Sequence, residues 1–102
     1  MCVAIIGGMD RLEKHYMNEA ERLGITLKVF TKFETEIAKK INRVDAVIIF
    51  SDKVSHKAKT AAMKAIKTKA IPLAMHHSCG LSSLRNILTD LKDTDNTIYA
   101  IS

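Results

Sequence analysis

The chain alternates apolar runs with amphipathic stretches, and each pair reads as a strand followed by a helix. Cys2-Val-Ala-Ile-Ile-Gly-Gly8 is continuously apolar and ends on two glycines, the pattern of a strand covered on both faces of a parallel sheet. Leu12, Tyr16, Ala20 and Leu23 then recur at helical spacing between Asp10, a first-turn acid or cap, and Gly24, a natural helix end. Ile25-Thr-Leu-Lys-Val-Phe30 alternates apolar and polar positions and predicts a strand near a sheet edge. Phe33, Ile37, Ile41 and Val44 mark the inner face of a second helix, with Lys39, Lys40 and Arg43 turned away from it. Asp45-Ala-Val-Ile-Ile-Phe50 is the most apolar strand and is expected at the centre.

Past a turn at 51–55, Val54, Ala58, Ala61, Ala62, Ala65 and Ile66 give a third helix a small-residue face able to approach a sheet or a second subunit closely. Lys53, Lys57, Lys64 and Lys67 fall on its other side. Ala70-Ile-Pro-Leu-Ala-Met75 carries the single proline, whose missing amide predicts a fourth strand that starts late or lies beside an edge. Gly80 precedes a fourth helix with Leu81, Leu84, Leu88 and Leu91 in register, and Thr97-Ile-Tyr-Ala-Ile101 predicts a last strand. The order βαβαβαβαβ implies one α/β domain over 1–102. It would be a three-layer, mainly parallel five-stranded sheet, flavodoxin-like or half-Rossmann, with strand order 2-1-3-4-5 and right-handed crossovers.

Composition narrows the reading in four respects. With 102 residues one core is the expectation, and with no tryptophan it must be built mainly from aliphatic side chains. No apolar run is long enough to cross a bilayer and the first residues lack the features of a signal peptide, so a cytoplasmic location without membrane association is the default. Two cysteines, Cys2 and Cys79, in such a setting are expected to be reduced thiols. The net charge is +5, and from residue 53 to 89 the chain carries lysines and Arg85 but no acid, so that half projects a positive field.

In parallel sheets of this kind ligands bind at the carboxyl ends of the strands, where the strand order reverses. That rule gathers the loops Gly7-Gly8-Met9-Asp10, Ser51-Asp-Lys-Val-Ser-His56 and His76-His-Ser-Cys-Gly80. The glycine pair allows close approach of a phosphate or carboxylate to backbone amides, or merely makes a tight turn. It is neither the three-glycine dinucleotide fingerprint nor a phosphate loop. Ser51 and Ser55 each suit a cap of the third helix, leaving Lys53 and His56 near its positive end, a combination fit for an oxyanion. His76, His77 and Cys79, with His56, form the candidate set for a transition metal or haem, although adjacent strand residues point to opposite faces and a polar loop is the plainer reading. A Cys79/His56 nucleophilic pair has no carboxylate in its loop to orient a histidine, so an enzyme is the less favoured class. His15 reads as a surface residue.

Ile5-Ile6-Gly7-Gly8, the Asp45-Ala-Val-Ile-Ile run with Val54-Ser55-His56, and Gly80-Leu81-Ser82-Ser83-Leu84 resemble a widespread bacterial family known as a domain of unknown function. The resemblance implies a Rossmann-like domain with Gly7, Gly8, Ser55, His56, Gly80 and Ser82 around a shared site, without supplying an activity. Longer relatives carry a His-Asp-Gly-Gly segment after the second strand, where this chain has Thr31-Lys32-Phe33-Glu34.

The leading expectation is thus a small ligand-binding or regulatory domain, expected to self-associate because its alanine-rich helix invites a second copy, that captures an anionic group of phosphate or nucleotide type at Gly7, Gly8, Ser51, Lys53, Ser55, His56, Gly80 and Ser82. A metal or haem sensor is the second expectation. A nucleic-acid module using Lys53, Lys57, Lys64, Lys67 and Arg85 is the third.

Overall fold

The computed structural model describes residues 1–31, 36–41 and 43–93. Strands β1 (Cys2–Gly7), β2 (Thr26–Phe30), β3 (Ala46–Phe50) and β4 (Leu73–His76) form a parallel sheet in the order β2-β1-β3-β4. Helices α1 (Glu13–Arg22), α2 (Ile37–Lys40), α3 (His56–Lys69) and α4 (Leu81–Asp93) cover it. The most apolar strand is inside, the alternating strand β2 is at an edge, and β4 begins directly after Pro72, as the pattern predicts. Pro72 still contributes its carbonyl, which accepts the Val47 amide at 2.9 Å.

Alternation along each strand divides the interior into two cores. Val3, Ile5, Leu27, Ile48 and Phe50 face α1 and α4, while Ala4, Ile6, Phe30, Val47 and Ile49 face α2 and α3. The layering is therefore α/β/α, with α1 against α4 on one face and α2 against α3 on the other.

The expectation of five strands is corrected to four among the described residues, and the segment 97–101 lies outside them. The placement of α4 supplies a physical reason. A right-handed crossover from β4 to a strand beyond it would need the helix on the α2/α3 face, but α4 packs beside α1.

Two smaller expectations are sharpened as well. The second helix is a single turn, Ile37–Lys40, although its apolar positions Ile37, Ile41 and Val44 are buried as predicted; Phe33 lies outside the described residues. The alanine face of α3 approaches the sheet, one of the two partners its small residues allow: Ala58, Ala62, Ala65 and Ile66 join the core of the α2/α3 face, with Ala61 half-buried beside them. Among the described residues no helix is long and apolar enough to cross a membrane.

Candidate functional site

The order β2-β1-β3 makes the chain leave β1 toward one edge and β3 toward the other, which opens a crevice at the carboxyl ends of these two strands. The loops around it are tied together by backbone bonds. The Gly8 amide donates to the Lys53 carbonyl at 2.9 Å, and the Asp52 amide donates to the His77 carbonyl at 3.2 Å. The loops after β1, β3 and β4 are in this way linked in series.

Gly7 and Gly8 both have positive φ, 98° and 92°. A Cβ on Gly7 would lie 2.8 Å from the Lys53 carbonyl oxygen and 3.0 Å from that of Phe50, so this position requires glycine because the β3 loop presses on it. A Cβ on Gly8 would meet the Tyr16 ring at 3.1 Å. The close approach that the glycine pair allows is thus made by the protein's own β3 loop and by Tyr16, and the Gly8 amide is spent on the loop bond.

Tyr16 is the organising side chain that the sequence reading treats only as part of a core stripe. It is fully buried; its hydroxyl donates to the Cys79 carbonyl at 2.6 Å and accepts the Met9 amide at 3.3 Å, joining the loop after β1 to the loop after β4. Its ring centroid lies 5.9 Å from that of Phe50. Burial pushes the Tyr16 phenol up from its ordinary value, because the phenolate would lose its water there. The available signal was a phenol in an otherwise aliphatic row, since a buried tyrosine oxygen needs a partner.

The remaining predicted residues divide by exposure and role. Ser55 caps α3, its hydroxyl oxygen accepting the Ala58 amide at 3.1 Å. Ser51 does not share that role, because it opens a separate 3-10 turn, Ser51–Lys53. Lys53, His56 and Lys57 are exposed around the start of α3, with Asp52 adding one negative charge on the same turn. Gly80 sits immediately before α4, its carbonyl accepting the Leu84 amide, and Ser82 is exposed in that helix's first turn. Asp10 is turned to the end of β2, where its carboxylate accepts the Thr31 hydroxyl.

The histidine and cysteine set is dispersed. His76 and His77 are exposed, and the His76 Nδ1 accepts the Ser78 amide at 3.2 Å within its own loop. Cys79 is 6% exposed in the core of the α1/α4 face, whereas His56 starts a helix on the other face. Among the described residues no three His, Cys, Asp or Glu side chains come together to hold a metal ion. His15 is at the surface, as expected.

The fold and these linked loops define a small three-layer α/β domain with a crevice at a strand-order switch. The chain belongs to the family described as an uncharacterized protein conserved in bacteria (DUF2325), whose match covers residues 2–91 and so takes in all three loops. No curated protein and no solved structure matches the chain.

Proposed function

We propose that this domain binds a small anion of phosphate or nucleotide type at the start of α3, beside the crevice between β1 and β3. The observation that carries this reading is the combination of a fourteen-residue helix whose N-terminus opens at the switch point with exposed Lys53, His56 and Lys57 around it. The first amides of a helix have no intrahelical acceptor and sit at the positive end of its dipole. Ser55 takes one of them, the Ala58 amide, leaving those of His56 and Lys57 for a ligand. Lys53 and Lys57 supply the charge, His56 a hydrogen-bond donor. The loop bonds Gly8 to Lys53 and Asp52 to His77 hold the 3-10 turn against its neighbours, so little ordering is required on binding. The role is capture or sensing; no nucleophile paired with an oriented base accompanies the site among the described residues.

Thermal unfolding with inorganic phosphate and with adenosine monophosphate, against potassium chloride at equal ionic strength, tests it. A specific anion at 100 times its Kd stabilises by about 2.7 kcal/mol. The shift is expected in the native chain and is expected to vanish in the Lys53→Ala/His56→Ala double variant. Equal melting in phosphate, nucleotide and chloride would remove the reading.

A further inference from the structure

The two outer layers carry very different charge. On the α1/α4 side Glu19 pairs with Arg22 and with Arg85, which grips it through two nitrogens at 3.2 and 3.0 Å, and Glu13, Glu21 and Asp90 add further acids. Arg85 therefore does not belong with the lysines of the third helix, correcting its place in the predicted basic set. On the α2/α3 side, α3 presents Lys57, Lys64, Lys67 and Lys69, all exposed. The adjacent α2 contributes Lys39, and edge strand β2 contributes Lys28, whose ammonium donates to the Lys40 carbonyl at 3.3 Å. No described carboxylate pairs with Lys57, Lys64, Lys67 or Lys69.

Between the two helices runs a groove of about 370 Å³ lined by Ala38 and Lys39 of α2 and by Lys64, Ala65, Thr68 and Lys69 of α3. Three lysines from two separate segments thus converge on one concave strip, which only the packing of α2 beside α3 brings about.

We infer that this strip is a docking surface for the phosphate backbone of double-stranded nucleic acid. The occupant follows from what the face has and lacks. Lys57 and Lys64, two helical turns and about 10 Å apart on one side of α3, together with Lys39 and Lys69 at the groove, make a cluster of cations that suits a polyanion. Met17, on α1 in the other layer, is the exposed large hydrophobic of the described residues, so among them the α2/α3 face offers no such anchor for a protein partner and no wedge for a lipid surface. Tyr16, Phe30 and Phe50 are buried, so among the described residues no aromatic platform serves unstacked bases, which favours a duplex over a single strand. Contacts of this kind position without reading sequence. The surface stands apart from the anion site at the start of α3, because Lys39, Lys64 and Lys69 lie on the groove and not at that end.

The test is fluorescence anisotropy of a mixed-sequence DNA duplex of about 20 base pairs titrated with the full chain across a salt series. Binding is expected at low salt and should weaken steeply as salt rises. Lys39→Ala/Lys64→Ala/Lys69→Ala, all exposed positions, should melt like the native chain yet lose at least about tenfold in affinity, with the log–log salt slope shallower by roughly 2 to 3. Lys14→Ala on the opposite layer should leave binding unchanged, and the triple variant should keep the thermal shift with inorganic phosphate, which separates this surface from the small-anion site. Undetectable binding at low salt, or a triple variant binding like the native chain, overturns the inference. So does equal affinity for polyglutamate or for phosphatidylserine vesicles, which would assign the face to an acidic protein or to a membrane.

Discussion

The two faces of the sheet solve the same burial problem with different side chains. The α1/α4 face fills its space with Tyr16, Phe50, Ile48, Leu84 and Leu88, while α3 meets the other face largely through Ala58, Ala62 and Ala65. Large interlocking side chains on one face and close backbone approach on the other both cover the strands. The difference lies in what each face does besides packing. Tyr16 ties two crevice loops together from inside the first face, and Glu19 clasps α4 to α1 at its surface; the second face holds α3 close and leaves its lysines without an ion pair among the described residues. One face thus stabilises the crevice, and the other displays charge.

The largest expected effect probes the first face. Leu88 is fully buried, and Leu88→Ala should destabilise the domain by roughly 3 kcal/mol in urea unfolding through lost burial and a residual cavity. On the second face the opposite change is the informative one. Ala62 is fully buried, and Ala62→Leu should cost about 2 kcal/mol because α3 has no room to take the added carbons. Native-like stability of Ala62→Leu would mean that α3 is not held close, and the contrast between the faces would fail.

Tyr16→Phe should cost roughly 1 to 2 kcal/mol, leaving the Cys79 carbonyl and the Met9 amide without their partner in the interior. It should also alter the alkaline limb of stability. The folded-state pKa of Tyr16 is raised, so its contribution is complete below the ordinary tyrosine value near 10 and is lost as pH rises through the folded value. Unfolding of the native chain followed upward from neutral pH should show this loss, and Tyr16→Phe should flatten it. The smallest effect is at Glu19, whose carboxyl is held below its ordinary value by the hydrogen-bonded Arg85 guanidinium. That contribution is present above the ordinary carboxylate range and disappears as pH falls through the lowered value, so Glu19→Gln should reduce acid sensitivity slightly and leave neutral stability nearly unchanged.

Much of the fold was legible because burial periodicity is local. The double-sided run at 2–7, the alternating run at 26–30 and the apolar run at 46–50 each declare how many of their faces are covered, and Pro72 marks where β4 cannot yet pair. Ser55 was legible as a helix cap, since capping depends on residues three apart. Ser51 was not separable from it, because a short 3-10 turn and the first turn of a helix use the same polar residues. The four-stranded sheet of the described residues was not foreseen because the side of the sheet on which α4 packs carries no local signature.

The sequence by itself determined that this is an α/β chain of alternating elements, which residues face the interior and where the loops of interest fall, because these follow from side-chain period along one segment. The tertiary structure alone decided that Tyr16 joins the loops after β1 and β4, that Arg85 answers Glu19 and not the lysine row, and that lysines of α2 and α3 share one groove. Those facts depend on which helix lies on which face of the sheet, and that is set by strand order and crossover direction, which couple residues far apart in the chain.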